Sequence, residues 1–284
     1  MIYLNGEFMP IEKAFIPVLD RGFIFGDGVY EVIPVYSRLP FRLGGHLERL
    51  QASLDSIRLH NPHAEDKWRQ LIGRLIELNE PEDQSLYLQV TRGVARRDHA
   101  FPATTTPTVF LMSNPLLPPT ANQIENGVGA ITAPDNRWLR CDVKSTALLP
   151  NVLLRQLAID AGCAETLLLR DGQLTEGAAS NAFVVSNGII LAPPKSNLML
   201  PGITYDLVLE LAEANDVAYE VRNITETEMA KADEIWITSS SREILPITTL
   251  NGKPVGGGRP GPVFQRMHGL YQEYKAQVMR AATA

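Results

Sequence analysis

Cysteine is scarce in this sequence: two residues, Cys141 and Cys163, among 284. Two thiols are too few for a disulfide framework, and their spacing fits no metal site. They read as reduced thiols of a cytoplasmic protein, with one bridge between them as the alternative. Long apolar runs are missing as well. Nowhere do about 18 apolar residues follow one another, the length a membrane span needs. The start "MIYLNGEFMP" has no basic segment ahead of an apolar one, so no secretory signal is expected. Positive charge is not in surplus: the net charge of −6 argues against general binding to a phosphate backbone. Neither nucleic acid nor membrane is an expected partner. What is present is a globular composition, 45% apolar and 20% charged, over a length that suits one large domain or, better, two.

Along the chain, strands come first. "IYLNGEFM" sets Asn5-Gly6 between apolar residues, the signal of a tight hairpin, and "GVYEVIPVY" with "LPFRL" makes another around Ser37-Arg38. "GGHLERLQASLDSIRL" carries Leu47, Leu50, Leu54 and Ile57 at helical spacing, and a second helix is expected around Trp68, Leu71, Ile72, Leu75 and Ile76. "SLYLQVTRGVA" and "TVFLMS" read as strands and close a first domain over residues 1–113. Three prolines in "NPLLPPTAN" mark 114–122 as a semi-rigid linker. The second domain, 123–284, begins with the strand "VGAITAP" and the helix "NVLLRQLAIDAG", stopped by Gly162. Hairpins on Asp171-Gly172 and Asn187-Gly188 follow, then a helix "GITYDLVLELAEAN", a strand "EIWITSS" and a terminal helix "PVFQRMHGLYQEYKAQVM". The glycine-rich "VGGGRPGP" lacks a strand–loop–helix context and reads as a turn rather than a phosphate cradle. The fold class is α+β.

Lysine is outnumbered by arginine, 7 to 19, and one lysine stands apart. In "DVKSTALLPN" Lys144 is followed by small and apolar residues, whereas most of the others lie in polar stretches. Desolvation lowers the pKa of an ammonium, and the neutral amine is a nucleophile that can form a Schiff base with an aldehyde. Taken alone, the stretch fits a snorkelling lysine better. The companions that a pyridoxal phosphate site needs are also present in the sequence. "LPGITYD" puts Pro201-Gly202 before a helix, so the amides of Ile203 and Thr204 lie at its positive end; a plain capped helix is the alternative. "ITSSSREI" offers Ser239, Ser240 and Ser241 after a strand, and Arg49 offers a formal charge. Glu176, in "LTEGAASNAF", has the chemistry to keep a pyridine nitrogen protonated, or is a solvated turn residue.

As a set, "DRGFIFGDGVYEV", "HLERL", "DVKSTALLPN", "LTEGAASNAF" and "PGITYD" resemble the class IV, or fold type IV, pyridoxal-phosphate aminotransferases. The likeness runs from residue 2 to about 250, in the family's order and spacing. It implies a two-domain fold: a smaller sandwich-like α/β N-terminal domain and a larger barrel-like C-terminal domain, with the cofactor, pyridoxal 5'-phosphate, in the cleft between them. It implies Lys144 as the Schiff-base lysine, Glu176 on the pyridine nitrogen, and Arg49 with Ile203, Thr204 and Ser240 on the phosphate.

Substrate choice is expected in "RGVARRDHAFP". If the stretch is extended, Arg97 and His99 project to one side and can hold a carboxylate; a solvated loop of mixed charge is the alternative. An Arg-x-His pair at this place resembles the clamp of D-amino acid transaminases, which Tyr30 would complete. In that subgroup the pair reaches in from the partner subunit, so a homodimer is implied. The reaction implied is transfer of the amino group of a D-amino acid such as D-alanine to 2-oxoglutarate or another 2-oxo acid, in ping-pong fashion. A branched-chain L-amino acid aminotransferase, an aminodeoxychorismate lyase and a protein that carries the cofactor without turnover are the other readings. A shift of one residue would put Arg96 in the pocket instead of Arg97.

Overall fold

A computed structural model describes residues 1–281 of the chain, which form two compact units. Among these residues no helix is long and apolar enough to cross a membrane. The first unit comprises residues 1–116, 143–148 and the described part of the chain end from Met279; the second comprises 117–142 and 149–278.

In the first unit, β1 (Ile2–Leu4) and β2 (Glu7–Met9) form the hairpin that Asn5-Gly6 requires, both turn residues having positive φ. A short helix, α1 (Arg21–Phe25), leads into the long strand β3 (Gly28–Tyr36). The turn at Ser37-Arg38 is followed by β4, which is only Leu39–Pro40. Helices α2 (Leu43–Ser56) and α3 (Glu65–Glu77) come next, then β5 (Gln84–Thr91) and β6 (Thr108–Pro115). The sheet is antiparallel with order β2-β1-β6-β5-β3-β4. Period-two alternation gives its two faces different tasks. Val29, Ile33 and Val35 of β3, with Leu86, Leu88 and Val90 of β5, share a core with Leu47, Leu50 and Leu54 of α2 and Trp68, Ile72 and Leu75 of α3. Tyr30, one step out of that parity, stacks on Tyr87 at 5.6 Å.

The second unit's first helix, α4 (Ala121–Asn126), begins in the last two residues of the stretch expected to be linker. The reason is a capping box: Thr120 accepts from the Gln123 backbone while the Gln123 side chain accepts from Thr120 N. There follow β7 (Val128–Pro134), α5 (Leu149–Asp160), β8 (Glu165–Arg170), β9 (Gln173–Gly177), β10 (Asn181–Ser186), β11 (Ile189–Ala192), α6 (Ile203–Ala214) and β12 (Tyr219–Val221). The unit ends with α7 (Glu226–Ala230), β13 (Glu234–Ser239), β14 (Glu243–Leu250), β15 (Lys253–Pro254) and α8 (Pro262–Tyr274). The strands make one mixed sheet of nine, order β12-β11-β10-β13-β14-β7-β8-β9, with β15 on β14. It curls, so that Gly177 N at the end of β9 donates to Ser180 O just before β10. This curled sheet is the larger, barrel-like C-terminal domain that the sequence led one to expect. The glycine-rich stretch before α8 is a turn, and the first amides of α8, Val263 N and Phe264 N, are taken by the Glu234 carboxylate.

Candidate functional site

Lys144 is held by a strand edge. β4 pairs only with Val35 and Tyr36, leaving the beginning of β3 open on that side. Residues 144–146 take the edge: Tyr30 N donates to Lys144 O at 2.9 Å, Thr146 N to Gly28 O at 3.0 Å, and Val29 bridges Ser145. Thr146 Oγ1 adds bonds to Gly26 O at 2.9 Å and Gly28 O at 3.1 Å, and Lys144 N donates to Ser53 Oγ at 3.2 Å. The half-buried Lys144 side chain therefore leaves a fixed backbone, and its Nζ lies 4.2 Å from the centre of the Tyr30 ring.

Behind Tyr30, on the helix-facing side of β3, a charge is buried in the core. Glu31 is fully buried and accepts from Arg49 Nε and Arg49 Nη2, both at 2.8 Å, and from His46 Nδ1 at 2.8 Å. Burial pushes the Glu31 carboxyl up, but Arg49 and His46 outweigh it and hold it down at about 2. Burial also pulls His46 down, so its ring is neutral and carries its proton on Nδ1, towards Glu31. Arg49, expected on a phosphate, is thus committed by two of its nitrogens to Glu31.

Arg97 and His99 are exposed and sit in a bent loop rather than an extended segment. Both nevertheless lie against one ring: the Arg97 guanidinium is 5.4 Å and the His99 imidazole 5.4 Å from the centre of Phe25. The bend has a cause. Buried Arg21 donates to the carbonyls of Asp98 at 2.6 Å and Ala100 at 3.4 Å, and the loop folds around its guanidinium.

In the second unit Glu176, next to last in β9, lies in a buried polar cluster. Arg137 Nη1 donates to its Oε1 at 2.5 Å, while Asn181 Nδ2 at 3.2 Å and Leu200 N at 3.1 Å donate to its Oε2. Arg137 is itself locked onto buried Asp135 through Nε and Nη2, both at 2.9 Å. Burial pushes the Glu176 carboxyl up to about 7, with Arg137 and the Leu200 amide pulling the other way. Asn181 also donates to Leu200 O at 2.9 Å, which ties Glu176 to the segment entering α6. There Gly202 is the N-cap, with no side chain capping the helix, and Ile203 and Thr204 are its first residues. A Cβ on Gly202 would lie 1.9 Å from Asn181 Oδ1, so only glycine fits. Ser240 reaches the same end of the sheet, because Thr238 of β13 pairs with Asn181 of β10 and the turn at 240–242 follows the strand directly.

The sequence reading missed Glu31, His46, Arg137 and Asn181. His46 and Arg49 had a signal: they are three apart on a helix whose buried residues besides His46 are four leucines and Ser53. Arg137 had none, since 39 residues separate it from Glu176. Cys141 is buried and Cys163 partly so, and both are free thiols.

A family model described as "Amino-transferase class IV" matches residues 28–250. A D-alanine aminotransferase of Bacillus licheniformis is 41% identical over 271 residues, covering 95% of each chain. One from Staphylococcus aureus (strain COL) is 35% identical over 273 residues, 96% of this chain and 97% of that one. Among solved structures, the branched-chain amino acid aminotransferase of Escherichia coli is similar with a TM-score of 0.89 and 25% identity, covering 99% of this chain and 96% of that one. The T.th. branched-chain amino acid aminotransferase with pyridoxamine 5'-phosphate has a TM-score of 0.89 and 27% identity, covering 99% and 94%.

Proposed function

This chain belongs to the class IV aminotransferases, and we propose that it is a pyridoxal-phosphate-dependent transaminase that moves the amino group of a D-amino acid, D-alanine among them, to a 2-oxo acid such as 2-oxoglutarate. One observation carries the choice of substrate: a guanidinium and an imidazole, Arg97 and His99, both lying against Phe25, a pair suited to a carboxylate. The likeness to D-alanine aminotransferases over 95% of the chain supports the same choice.

The residues fit the cofactor. The start of α6 has no side-chain cap, and the amides of an uncapped helix N-terminus suit a phosphate. The amides of Ile203 and Thr204, with Ser240 and Arg49, would hold the phosphate. Glu176, buried and fixed by Arg137, would hold the proton on the ring nitrogen. When bound, pyridoxal phosphate supplies the electron sink that makes the α-carbon of an amino acid acidic. Lys144 would bind the cofactor's carbonyl carbon and later take the α-proton of the substrate, acting through the one Nζ that its strand-edge backbone aims over Tyr30. Arg97, His99 and Tyr30 would hold the substrate carboxylate. The enzyme works as a cytoplasmic homodimer in this reading. The large exposed apolar side chains of Phe15, Val18 and Phe23 support a partner surface, and the exposure of Arg97 and His99 fits side chains that reach a neighbouring copy.

The test is a half-reaction. The yellow enzyme is mixed separately with D-alanine, D-glutamate and L-leucine in the absence of any oxo acid. Loss of the cofactor's visible band with the D-acids alone is expected. Bleaching by L-leucine alone would move the protein to the branched-chain group, and bleaching by none would bring the lyase forward.

The clamp makes its own prediction. Arg97→Ala should raise the KM for D-alanine by about 10- to 100-fold, the worth of a charge-assisted contact, with the bound cofactor's spectrum unchanged. If Arg96→Ala did this instead, the register would be off by one.

A further inference from the structure

We propose that Arg21 is the positioning residue of the carboxylate clamp: its guanidinium folds the 97–100 loop and so sets the distance between the side chains of Arg97 and His99. The proposal rests on the clamp reading above and deepens it.

Arg21 lies at the start of α1, 3% exposed, and uses its whole planar fork. Nε donates to Asp27 Oδ2 at 2.7 Å. Nη1 donates to Asp98 O at 2.6 Å and Ala100 O at 3.4 Å, and Nη2 to His99 O at 3.5 Å. The same guanidinium lies 4.8 Å from the centre of Phe25, the ring against which Arg97 and His99 lie. One group therefore holds both the backbone of the loop and the surface its side chains rest on.

The platform under Arg21 is rigid. Its N donates to Gly93 O at 2.9 Å. The preceding residue, Asp20, is buried and accepts from Gly22 N at 2.8 Å, Thr91 Oγ1 at 2.8 Å and Thr108 Oγ1 at 2.6 Å, which fastens α1 to β5 and β6. The far end of the loop is held by the same anion. Asp27 also accepts from Arg92 Nε at 2.8 Å and Arg92 Nη2 at 3.0 Å, and the Arg92 guanidinium lies 3.8 Å from the centre of the Phe101 ring. Arg92 and Arg21 hold the Asp27 carboxyl below its ordinary value although burial pushes it up. An exposed loop pinned in this way presents its two side chains in one arrangement, and pre-organisation of that kind lowers the cost of binding.

The experiment is a double-mutant cycle on the holoenzyme, with steady-state kinetics in D-alanine and 2-oxoglutarate for wild type, Arg21→Met, Arg97→Ala and the pair. Arg21→Met should raise the KM for D-alanine on the order of tenfold, with kcat within about twofold and the cofactor band unchanged. The double variant should bind D-alanine no worse than Arg97→Ala alone, because Arg21 acts through the clamp. A role in stability alone would leave KM where it is. If Arg97→Ala raises KM and Arg21→Met does not, or if the two effects multiply, the positioning role is wrong while the clamp stands. If neither raises KM, the clamp reading falls and this proposal falls with it. Should Arg21→Met give no folded protein, Arg21→Lys carries the same prediction. It keeps a cation beside Asp27 but cannot span Asp27 and the loop carbonyls together.

Discussion

Lys144→Ala removes turnover with D-alanine: a loss of about 10⁴-fold or more is expected, because the variant lacks both the anchoring amine and the general base. The structure explains why the loss should be clean. The ties that fasten the segment to β3 run through the backbone of Lys144 and the side chain of Thr146, and alanine keeps them. Circular dichroism should therefore match wild type, while the visible band of the covalently held cofactor disappears. Stopped-flow absorbance and a coupled assay for pyruvate measure the two effects. An alanine variant that turned over near the wild-type rate would remove Lys144 from the chemistry and with it the function proposed here.

Much of the fold was legible because local chemistry and tertiary structure agree. Asn5-Gly6, Asp171-Gly172 and Asn187-Gly188 make the hairpins they announce, with positive φ at both residues of each. Asn251-Gly252 carries the same signal and does the same work between β14 and β15, two strands that each contain a proline, Pro246 and Pro254. The Thr120-x-x-Gln123 box was equally visible and was outweighed by its prolines. What could not be read was pairing at a distance. That residues 143–148 take the open edge of β3 depends on β4 being two residues long, which no local pattern states.

The candidate site divides in the same way. Residues that act through a backbone position, such as Gly202 and the amides after it, announce themselves as Pro-Gly before a helix. Residues that act through another charge do not. Arg137 looks like any arginine in a loop until β9 brings Glu176 to 2.5 Å from it. The extended reading of the 97–99 stretch failed for the same reason: the geometry of that loop is set by Arg21, far back in the chain. Sequence pattern reports what a residue prefers locally, and a buried ion pair reports what two distant segments impose on each other.

The largest effect on stability should come from a residue that touches no substrate in this reading. Glu31→Gln is expected to cost about 3–5 kcal/mol at neutral pH, since it removes the buried carboxylate that balances the nearly buried Arg49 guanidinium. The amide of glutamine also sets an N–H where Arg49 or His46 now donates, so one of those bonds must be lost outright. The dependence on pH gives the argument a second edge. The folded carboxyl titrates at about 2 against an ordinary value of 4.5. Its contribution is therefore fully present above pH 4.5 and is lost as the pH falls towards 2, a decline of about 3 kcal/mol from this one group. The glutamine variant has no such group to protonate. In urea unfolding followed from neutral pH into this acid range, the wild-type and variant curves should start well apart and converge. Curves that stayed parallel throughout would mean that Glu31 is not the ionised centre of this cluster. Convergence would place the charge that orients Arg49 inside the core of the first unit, one residue along β3 from Tyr30.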